Sequence, residues 1–335
     1  MLLFLKKLLD NNAVSAQSLE TYYRINGKHF QRLYKTRLSN FSTWGQGEHA
    51  EDYILNPKNI SSNLAIDETA LSNGELYTIL SNKKAKGKKR SIVAMVKGTL
   101  SENVIEVLTK IPAKLRNKVK NISLDMASSM NQIAKVCFPY ATRITDRFHV
   151  QRLAFDAVQE IRIKHRWEAI ENENNRYQQA KKTDTAYNPV VLENGDTHRQ
   201  LLARSRYLLF KTPNNWTESQ HNRAVILFRE YPDIKQAYQL STDLTNIFNQ
   251  KIDKRVALTK LARWFNEAEA SGFKAFATIR RTFEQHYATI VNYFEDRETN
   301  AYAESFNSKI KDFRRNFRGV RDIRFFLFRL NNIFG

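Results

Sequence analysis

The sequence predicts an α/β fold in which helices pack against a mixed sheet. Short β-prone runs occur at residues 63–70, 75–80 and 91–96 and are separated by Asn-Gly and Lys-Gly turns. Helix-like and strand-like segments then alternate, with strands expected at 119–125 and 141–146. Three strands with short connections, followed by α/β crossovers, favour a mixed sheet with flanking helices.

Residues 151–296 have helical composition and spacing almost throughout, with a polar stretch at 180–200 as the best candidate for a long loop. We therefore expect four regions. They are a small, basic, helical N-terminal region (1–60), the first part of the sheet domain (61–150), a helical insertion (151–296), and a C-terminal helix with a basic tail (297–335).

The N-terminal region predicts two short helices at residues 15–40, on either side of Asn26-Gly27. Basic side chains lie on or near the second helix, as in a small helix-turn-helix that contacts DNA. An ordinary helical hairpin with a solvated basic face explains the pattern equally well. Both interpretations remain open from the sequence.

The chain is strongly basic, with 54 Lys and Arg against 34 Asp and Glu, a net charge of +20. An excess of this size favours a polyanionic partner, because each phosphate contact releases condensed counterions. No run of about eighteen apolar residues occurs, which argues against a membrane protein. The single cysteine, Cys137, excludes an internal disulfide and a multi-cysteine zinc cluster and fits a reducing cytosol.

Three of the predicted strands bring an aspartate to their carboxyl end: Asp67, Asp125 and Asp146. Ligands of α/β sheets bind at that edge, and a strand holds a carboxylate more rigidly than a loop does. A single aspartate at such a place is usually a turn former or a helix cap. The recurrence on three strands favours a functional site.

A predicted helix near the C-terminus carries a fourth acidic residue. At about 100° per residue, Phe306, Ile310 and Phe313 form an apolar stripe that we expect to be core. Glu304 lies on the opposite, polar face. That face also carries Asn300, Asn307, Lys311 and Arg315.

Converging carboxylates are typical of metal-dependent phosphodiester chemistry. One cation activates the attacking oxygen and a second, about 3.5–4 Å away, stabilises the leaving oxygen. Mg²⁺ prefers hard oxygen ligands, and carboxylates this close would repel one another without a cation. The sequence carries no zinc-spaced His/Cys set, P-loop or serine nucleophile elbow. ATP-driven and acyl-transfer enzymes are therefore unsupported.

Two motifs, Asp146-Arg-Phe-His149 and Asn300-Ala-Tyr-Ala-Glu304-Ser-Phe-Asn307, together with the strand order, resemble the DDE transposases of bacterial insertion sequences. The nearest branch is the one called ISL three, and the resemblance runs from residue 63 to the C-terminus. It implies a retroviral-integrase-like (RNase H-like) fold interrupted by a large all-helical insertion. It also implies a cytoplasmic, nucleoid-associated bacterial enzyme.

The resemblance implies roles for individual residues. The catalytic, metal-binding set is Asp67, Asp125 and Glu304, which would hold Mg²⁺ or Mn²⁺, as two ions. The supporting set is Asp146, His149, Asn300 and Asn307. The implied partner is double-stranded DNA, both the transposon ends and the target, bound by a homodimer. Members of this branch often carry a larger zinc-binding N-terminal region, so we expect end recognition from the 15–40 hairpin or from a separately encoded polypeptide.

Two basic tracts are candidate DNA-backbone contacts, since such contacts need cations rather than a fixed geometry. The first is a loop between two strands, comprising Lys83, Lys84, Lys86, Lys88, Lys89 and Arg90. The second is near the C-terminus, comprising Lys311, Arg315 and Arg318. A charge run is often only a solvated loop.

Two further functions remain open from the sequence. Another RNase H-like DNA nuclease would share the acidic residues but would not require a large helical insertion. A catalytically silent DNA-binding protein derived from a transposase would share the charge, although the intact acidic set argues against it.

Overall fold

The computed structural model describes residues 1–71, 74–297, 299–317 and 322–335. It divides into two compact units, the first comprising Met1–Asp146 with Arg297–Gly335 and the second comprising Arg147–Asp296. Asn73 of the predicted turn and Arg318 of the predicted DNA-binding set lie outside the described residues. No helix among the described residues combines the length and apolar character needed to cross a bilayer.

The first unit is built on a mixed sheet of six strands. In chain order they are β1 (Tyr53–Leu55), β2 (Asn63–Ala70), β3 (Leu76–Asn82), β4 (Ile92–Lys97), β5 (Asn121–Leu124) and β6 (Thr142–Thr145). The spatial order is β1-β4-β3-β2-β5-β6. The pairs among β1 to β4 are antiparallel, whereas β5 pairs in parallel with both β2 and β6. The predicted mixed sheet is confirmed; β1 was not predicted, because three residues show no detectable alternation.

The described helices are divided between the two units. In the first unit they are α1 (Leu2–Asn11), α2 (Glu20–Tyr23), α3 (Gly27–Leu33), α4 (Ser101–Thr109), α5 (Ala113–Arg116) and α6 (Ser128–Cys137). The second unit contains α7 (Arg147–Lys182), α8 (His198–Arg204), α9 (Glu218–Glu230), α10 (Pro232–Asn249), α11 (Lys254–Ala270), α12 (Lys274–Val291) and α13 (Tyr293–Asp296). The chain then returns to the first unit with α14 (Ala301–Arg315) and α15 (Ile323–Phe334).

Each face of the sheet has its own apolar core, because side chains alternate along a strand. On one face, Ile66 and Leu124 pack with residues of α4 and α6, including Val104. On the other face, Ile79 and Met95 pack in the same cluster as α14 and α15. The apolar stripe predicted for α14 is confirmed, with Phe306, Ile310 and Phe313 all buried there.

The N-terminal segment belongs to this second core. Leu5 and Leu9 of α1 and Phe30 of α3 are buried in the cluster that contains α14 and α15. Asn26 caps α3, its side-chain oxygen accepting a hydrogen bond from the backbone N–H of His29 at 2.8 Å. An Asn at this position satisfies one of the otherwise unpaired amides at a helix start.

The second unit is helical apart from its connections and one isolated β-bridge between Val191 and Thr197. Its longest helix, α7, has 36 residues. Capping boxes at Thr197 and Thr217 begin α8 and α9. The segment from 183 to 197, which joins α7 to α8, agrees with the predicted long loop.

Candidate active site

Strand register places two of the predicted acidic residues side by side. Strands β2 and β5 pair in parallel as far as Ala65 opposite Ser123. Two residues further along each strand, the same register sets Asp67 beside Asp125. Adjacent strands lie about 4.8 Å apart, and residues at one level of a parallel pair point to the same face. The two carboxylates therefore leave the sheet together.

The third aspartate continues this row. Strands β5 and β6 pair in parallel as far as Leu124 opposite Thr145, so Asp125 and Asp146 are next in register. The ladder extends to this level, since the backbone N–H of Asp146 donates to the carbonyl of Leu124 at 3.0 Å. Asp67, Asp125 and Asp146 thus lie at one level of three adjacent strands, and together they form an acidic row.

The prediction that Asp67 ends its strand was wrong. Strand β2 continues to Ala70, and Asp67 lies opposite Ile79 of β3 within the antiparallel ladder. The two neighbours of β2 explain the difference: β3 accompanies it to Ala70, whereas β5 accompanies it only to Ala65. Asp67 therefore stands at the open edge on the β5 side while remaining fixed by β3.

The row faces the helix α14. Asp67 lies opposite Ile79, and Ile79 lies opposite Met95, so the three side chains point to the same face. Ile79 and Met95 are buried in the cluster that contains Phe306 of α14. The side chains of the acidic row therefore lie on the face of the sheet that packs against α14.

Asn307 of α14 reaches Asp67 directly. Its Nδ2 donates a hydrogen bond to Oδ2 of Asp67 at 2.8 Å, while Oδ1 of Asp67 accepts from the backbone N–H of Glu68 at 2.9 Å. Asn307 is only 5% exposed. The predicted polar face of α14 is therefore not a solvent-facing surface at this position, because the sheet lies against it.

Glu304, one turn earlier, approaches the other end of the row. A carboxylate oxygen of Glu304 and one of Asp146 lie within 4.8 Å of each other. Since Asn307 contacts β2 and Glu304 approaches β6, the first turns of α14 span the position of Asp125 on the intervening β5. In the part of the chain that the structure describes, the ligand atoms of Asp67, Asp125 and Glu304 do not all lie within that distance.

Asp125 has an ordinary turn role as well. Its Oδ1 accepts a hydrogen bond from the backbone N–H of Ala127 at 2.9 Å, where the chain turns toward α6. Such an Asx turn restricts the side chain. It holds the middle carboxylate of the row in place.

Glu68 is a further acidic group that the sequence reasoning missed. Burial raises the pKa of Glu68, and the nearby charge of Asp125 raises it further. The only sequence signal was the Asp-Glu doublet at 67–68, which the alternation of strand faces would assign to opposite sides. The effect of Asp125 shows that Glu68 nevertheless shares the electrostatic environment of the row.

Asn300, just before α14, is completely buried. Among the residues that the structure describes, neither its Nδ2 nor its Oδ1 has a hydrogen-bond partner. It occupies the N-cap position of α14 without making a side-chain capping bond, and its carbonyl accepts from the backbone N–H of Glu304 at 3.1 Å. A buried amide without partners is uncommon in folded proteins and costs stability.

The remaining supporting residue, His149, lies on the first turn of α7 in the second unit. It is half-buried, and its ring meets that of Phe148 edge-on at a centroid distance of 5.9 Å.

The basic loop is less uniform than the sequence predicted. Lys84, Lys86, Lys88, Lys89 and Arg90 are exposed. Lys83 is instead half-buried, and its Nζ donates to Oγ of Ser123 at 3.0 Å. The backbone N–H of Gly87 donates to the hydroxyl of Tyr302 on α14 at 3.2 Å, which anchors the loop. On α14, Lys311 and Arg315 are exposed, and Arg315 pairs with Asp312.

These features define an α/β protein whose sheet carries a row of three carboxylates. The helix that packs over this row, α14, contributes a fourth carboxylate, that of Glu304. The donors are hard carboxylate oxygens, the ligands that suit Mg²⁺ and Mn²⁺. A family model of DDE transposases, the ISL3 type, described as "Transposase", matches residues 64–330. The chain belongs to this family, which confirms the resemblance noted in the sequence and implies use of a divalent metal.

Two relatives illustrate the similarity. The transposase for insertion sequence element IS1001 of Bordetella parapertussis is 21% identical over 275 residues, which cover 81% of this chain and 60% of the relative. The transposase for IS1557 of Mycobacterium tuberculosis is 23% identical over 197 residues, which cover 58% of this chain and 43% of the relative. The chain therefore spans about half of the length of these curated relatives.

Proposed function

We propose that this chain is the catalytic subunit of a transposase that cleaves DNA at the ends of an insertion sequence. It then joins the freed 3′-hydroxyls to target DNA. The observation that carries the proposal is the row of Asp67, Asp125 and Asp146 on adjacent strands beneath Glu304. Membership of the ISL3-type DDE transposase family supports the same reaction.

The fold that we propose is RNase H-like, interrupted by a helical insertion. Support comes from the antiparallel β2, β3 and β4 followed by parallel β5 and β6. The compact helical unit Arg147–Asp296, which lies between β6 and α14 in the sequence, supports it as well. The insertion would supply a surface for DNA or for a second protomer.

In this proposal Asp67, Asp125 and Glu304 bind two Mg²⁺ or Mn²⁺ ions, and Asp146 and His149 support them. When bound, the cations supply an activated attacking oxygen and stabilise the leaving oxygen. Oxygen-only ligands and several neighbouring acidic groups fit that role. The raised pKa of Glu68 is consistent with a cluster whose negative charge a cation would relieve.

The protein's own contribution is to hold these carboxylates still. Asn307 uses its amide N–H to orient Asp67, and the backbone of Ala127 orients Asp125. Outer hydrogen bonds of this kind fix the direction in which a ligand oxygen points. Glu304 lies in the first turn of α14, a position at which an acidic side chain interacts favourably with the helix dipole.

The proposed partner is double-stranded DNA, bound by a homodimer at the transposon ends and at the target. The net charge of +20 supports binding to a polyanion. The exposed cations of the basic loop, together with Lys311 and Arg315, are the proposed backbone contacts. Recognition of the end sequence would come from the 15–40 hairpin or from a separately encoded polypeptide.

The test is a cleavage and joining assay with Mn²⁺ on a supercoiled plasmid that carries the sequences flanking the coding region. We expect the wild-type protein to nick and join, and Asp67→Asn and Glu304→Gln to do neither while still binding DNA. Asp312→Asn, an exposed change on the same helix as Glu304, is the matched control and should retain activity.

Each other outcome points to a different function. Nicking without joining, at any sequence, would identify a nuclease. DNA binding by the wild-type protein with no cleavage under Mg²⁺ or Mn²⁺ would identify a silent DNA-binding protein. Full activity of Asp67→Asn would remove the acidic row from the mechanism.

A further inference from the structure

The side chain of Lys83 is half-buried, unlike those of the five other cations of its loop. It follows directly after β3, and its ammonium donates a hydrogen bond to Oγ of Ser123 at 3.0 Å. Ser123 is only 1% exposed. The other five cations of the loop are exposed to solvent.

The path of this side chain leads toward the acidic row. In the spatial order, β2 lies between β3 and β5, so Lys83 must extend past β2 to reach Ser123. The residue of β2 in register with Ser123 is Ala65, whose small side chain leaves room on that face. Ser123 precedes Asp125 by two residues, so both side chains lie on the same face of the sheet.

The loop is held in this position at several points. The side chain of Asn82 accepts a hydrogen bond from the backbone N–H of Lys84 at 3.0 Å, which fixes the turn right after β3. Gly87 adopts a φ of +68° and donates its backbone N–H to Tyr302 on α14. Lys83 therefore leaves an anchored backbone, rather than a free loop.

We propose that the Lys83 ammonium belongs to the active site, where it binds a non-bridging oxygen of the DNA phosphate that the acidic row acts on. A cation at this place compensates part of the negative charge of the row and of the incoming phosphate. Charge-assisted hydrogen bonds to phosphate are strong, and such groups stabilise charge that develops during phosphoryl transfer. This inference rests on the proposed function and extends it from carboxylates to a specific cation.

The first test needs no DNA and no activity. A positive charge beside the row opposes binding of a divalent cation, so Lys83→Met should bind Mn²⁺ about 3- to 10-fold more tightly than the wild type. Lys84→Met, which removes an exposed cation one residue away, should leave Mn²⁺ affinity unchanged. Titration calorimetry or Mn²⁺ electron paramagnetic resonance measures both. Equal Mn²⁺ affinities in the two variants would overturn the inference.

The second test measures single-turnover cleavage at saturating plasmid DNA. We expect Lys83→Met to slow cleavage about 100-fold and Lys83→Arg to recover part of the rate. Lys114→Met, which removes an exposed cation of α5, should cleave at the wild-type rate. Ser123→Ala removes the hydrogen-bond partner but keeps the ammonium. If Lys83 served only to anchor its loop, Ser123→Ala and Lys83→Met would lose thermal stability and activity equally, which would refute a phosphate-binding role.

The two tests separate this inference from the proposed function. A wild-type protein that does not cleave DNA would defeat the proposed function, while the Mn²⁺ titration would still decide whether Lys83 adjoins the row. The Lys83 inference alone would be defeated if the wild-type protein cleaves, Lys83→Met cleaves at the wild-type rate, and its Mn²⁺ affinity equals that of Lys84→Met.

Discussion

Asn307 on α14 and Asp67 on β2 are joined by a hydrogen bond of 2.8 Å from Nδ2 to Oδ2. The two residues are separated by 240 positions in the sequence. Because Asp67 also accepts from the backbone N–H of Glu68, both of its carboxylate oxygens have a defined donor. The helix thus controls the direction of a carboxylate that the sheet delivers.

Asn307→Ala should lower the cleavage rate about 10- to 100-fold, since it frees an acidic group that must be oriented. The free energy of unfolding should fall by about 1 kcal/mol, because one buried hydrogen bond is lost. Ser308→Ala, an exposed neighbour, is the control and should change neither quantity. Plasmid cleavage and urea denaturation measure the two effects. A wild-type rate for Asn307→Ala would show that Asp67 needs no such support.

Asn300→Ala should lower cleavage without lowering stability. Its buried amide has no hydrogen-bond partner in the described part of the chain. Removing the amide therefore relieves a desolvation cost, which offsets the lost packing. We expect an unchanged or higher melting temperature together with reduced cleavage, as is common where a site is built at the expense of stability. Differential scanning calorimetry and the cleavage assay test this. A clear drop in melting temperature would assign Asn300 a structural role instead.

Replacing the exposed loop cations (Lys84, Lys86, Lys88, Lys89 and Arg90) with Gln should weaken binding to all DNA sequences about equally. Each phosphate contact that is lost should reduce the slope of log K against log salt by roughly 0.9. Sequence preference should survive, because it comes from groups that reach base edges. Binding titrations at several salt concentrations measure the slope. An unchanged slope would move the DNA path to another surface, most simply that of Lys311 and Arg315.

Arg329→Met should destabilise the first unit by about 2–4 kcal/mol. Arg329 is 1% exposed and donates to the carbonyls of Leu9, Asn12 and Val14 at 2.6, 3.2 and 3.2 Å. It thereby satisfies carbonyls at and beyond the end of α1, which otherwise lack partners when buried. Burial lowers the pKa of Arg329 to about 10, so the side chain stays charged at neutral pH.

Arg329→Lys should recover only part of this loss, because the planar guanidinium also lies over the rings of Tyr34, Phe313 and Phe317, and a compact ammonium does not stack in this way. Arg324→Met, an exposed change on the same helix, is the matched control. Urea denaturation gives the free energy of unfolding for all three variants. A loss below about 0.5 kcal/mol for Arg329→Met, the range of ordinary surface changes, would contradict this account.

Much of the fold could be predicted from the sequence, because its signals are local. The run 63–70 corresponds to β2, and the stripe of Phe306, Ile310 and Phe313 is buried, since periodicity records which side of a segment avoids water. Charge and motif spacing predicted the family that the comparison found. The three aspartates were predicted to meet because parallel strands end at one edge of a sheet.

Local pattern failed where an environment is made by distant residues. Asn307 and Glu304 fall on the same polar face of α14, yet the first is buried against β2 and the second is exposed. Lys83 and Lys84 are adjacent in one charge run, yet only Lys83 extends to a strand two positions away in the sheet. Neither difference has a signal in the residues next to it.

The sequence by itself determined the elements, the apolar faces and the residue types available for chemistry, since these depend on order along the chain. Only the tertiary structure decided that Asp67, Asp125 and Asp146 share one level, because that depends on the register between strands that are far apart in sequence. It also decided which polar side chains are buried beside them. The burial and pairing of these side chains depend on α14, the helix that packs on this face of the sheet. In the sequence, α14 follows the whole second unit.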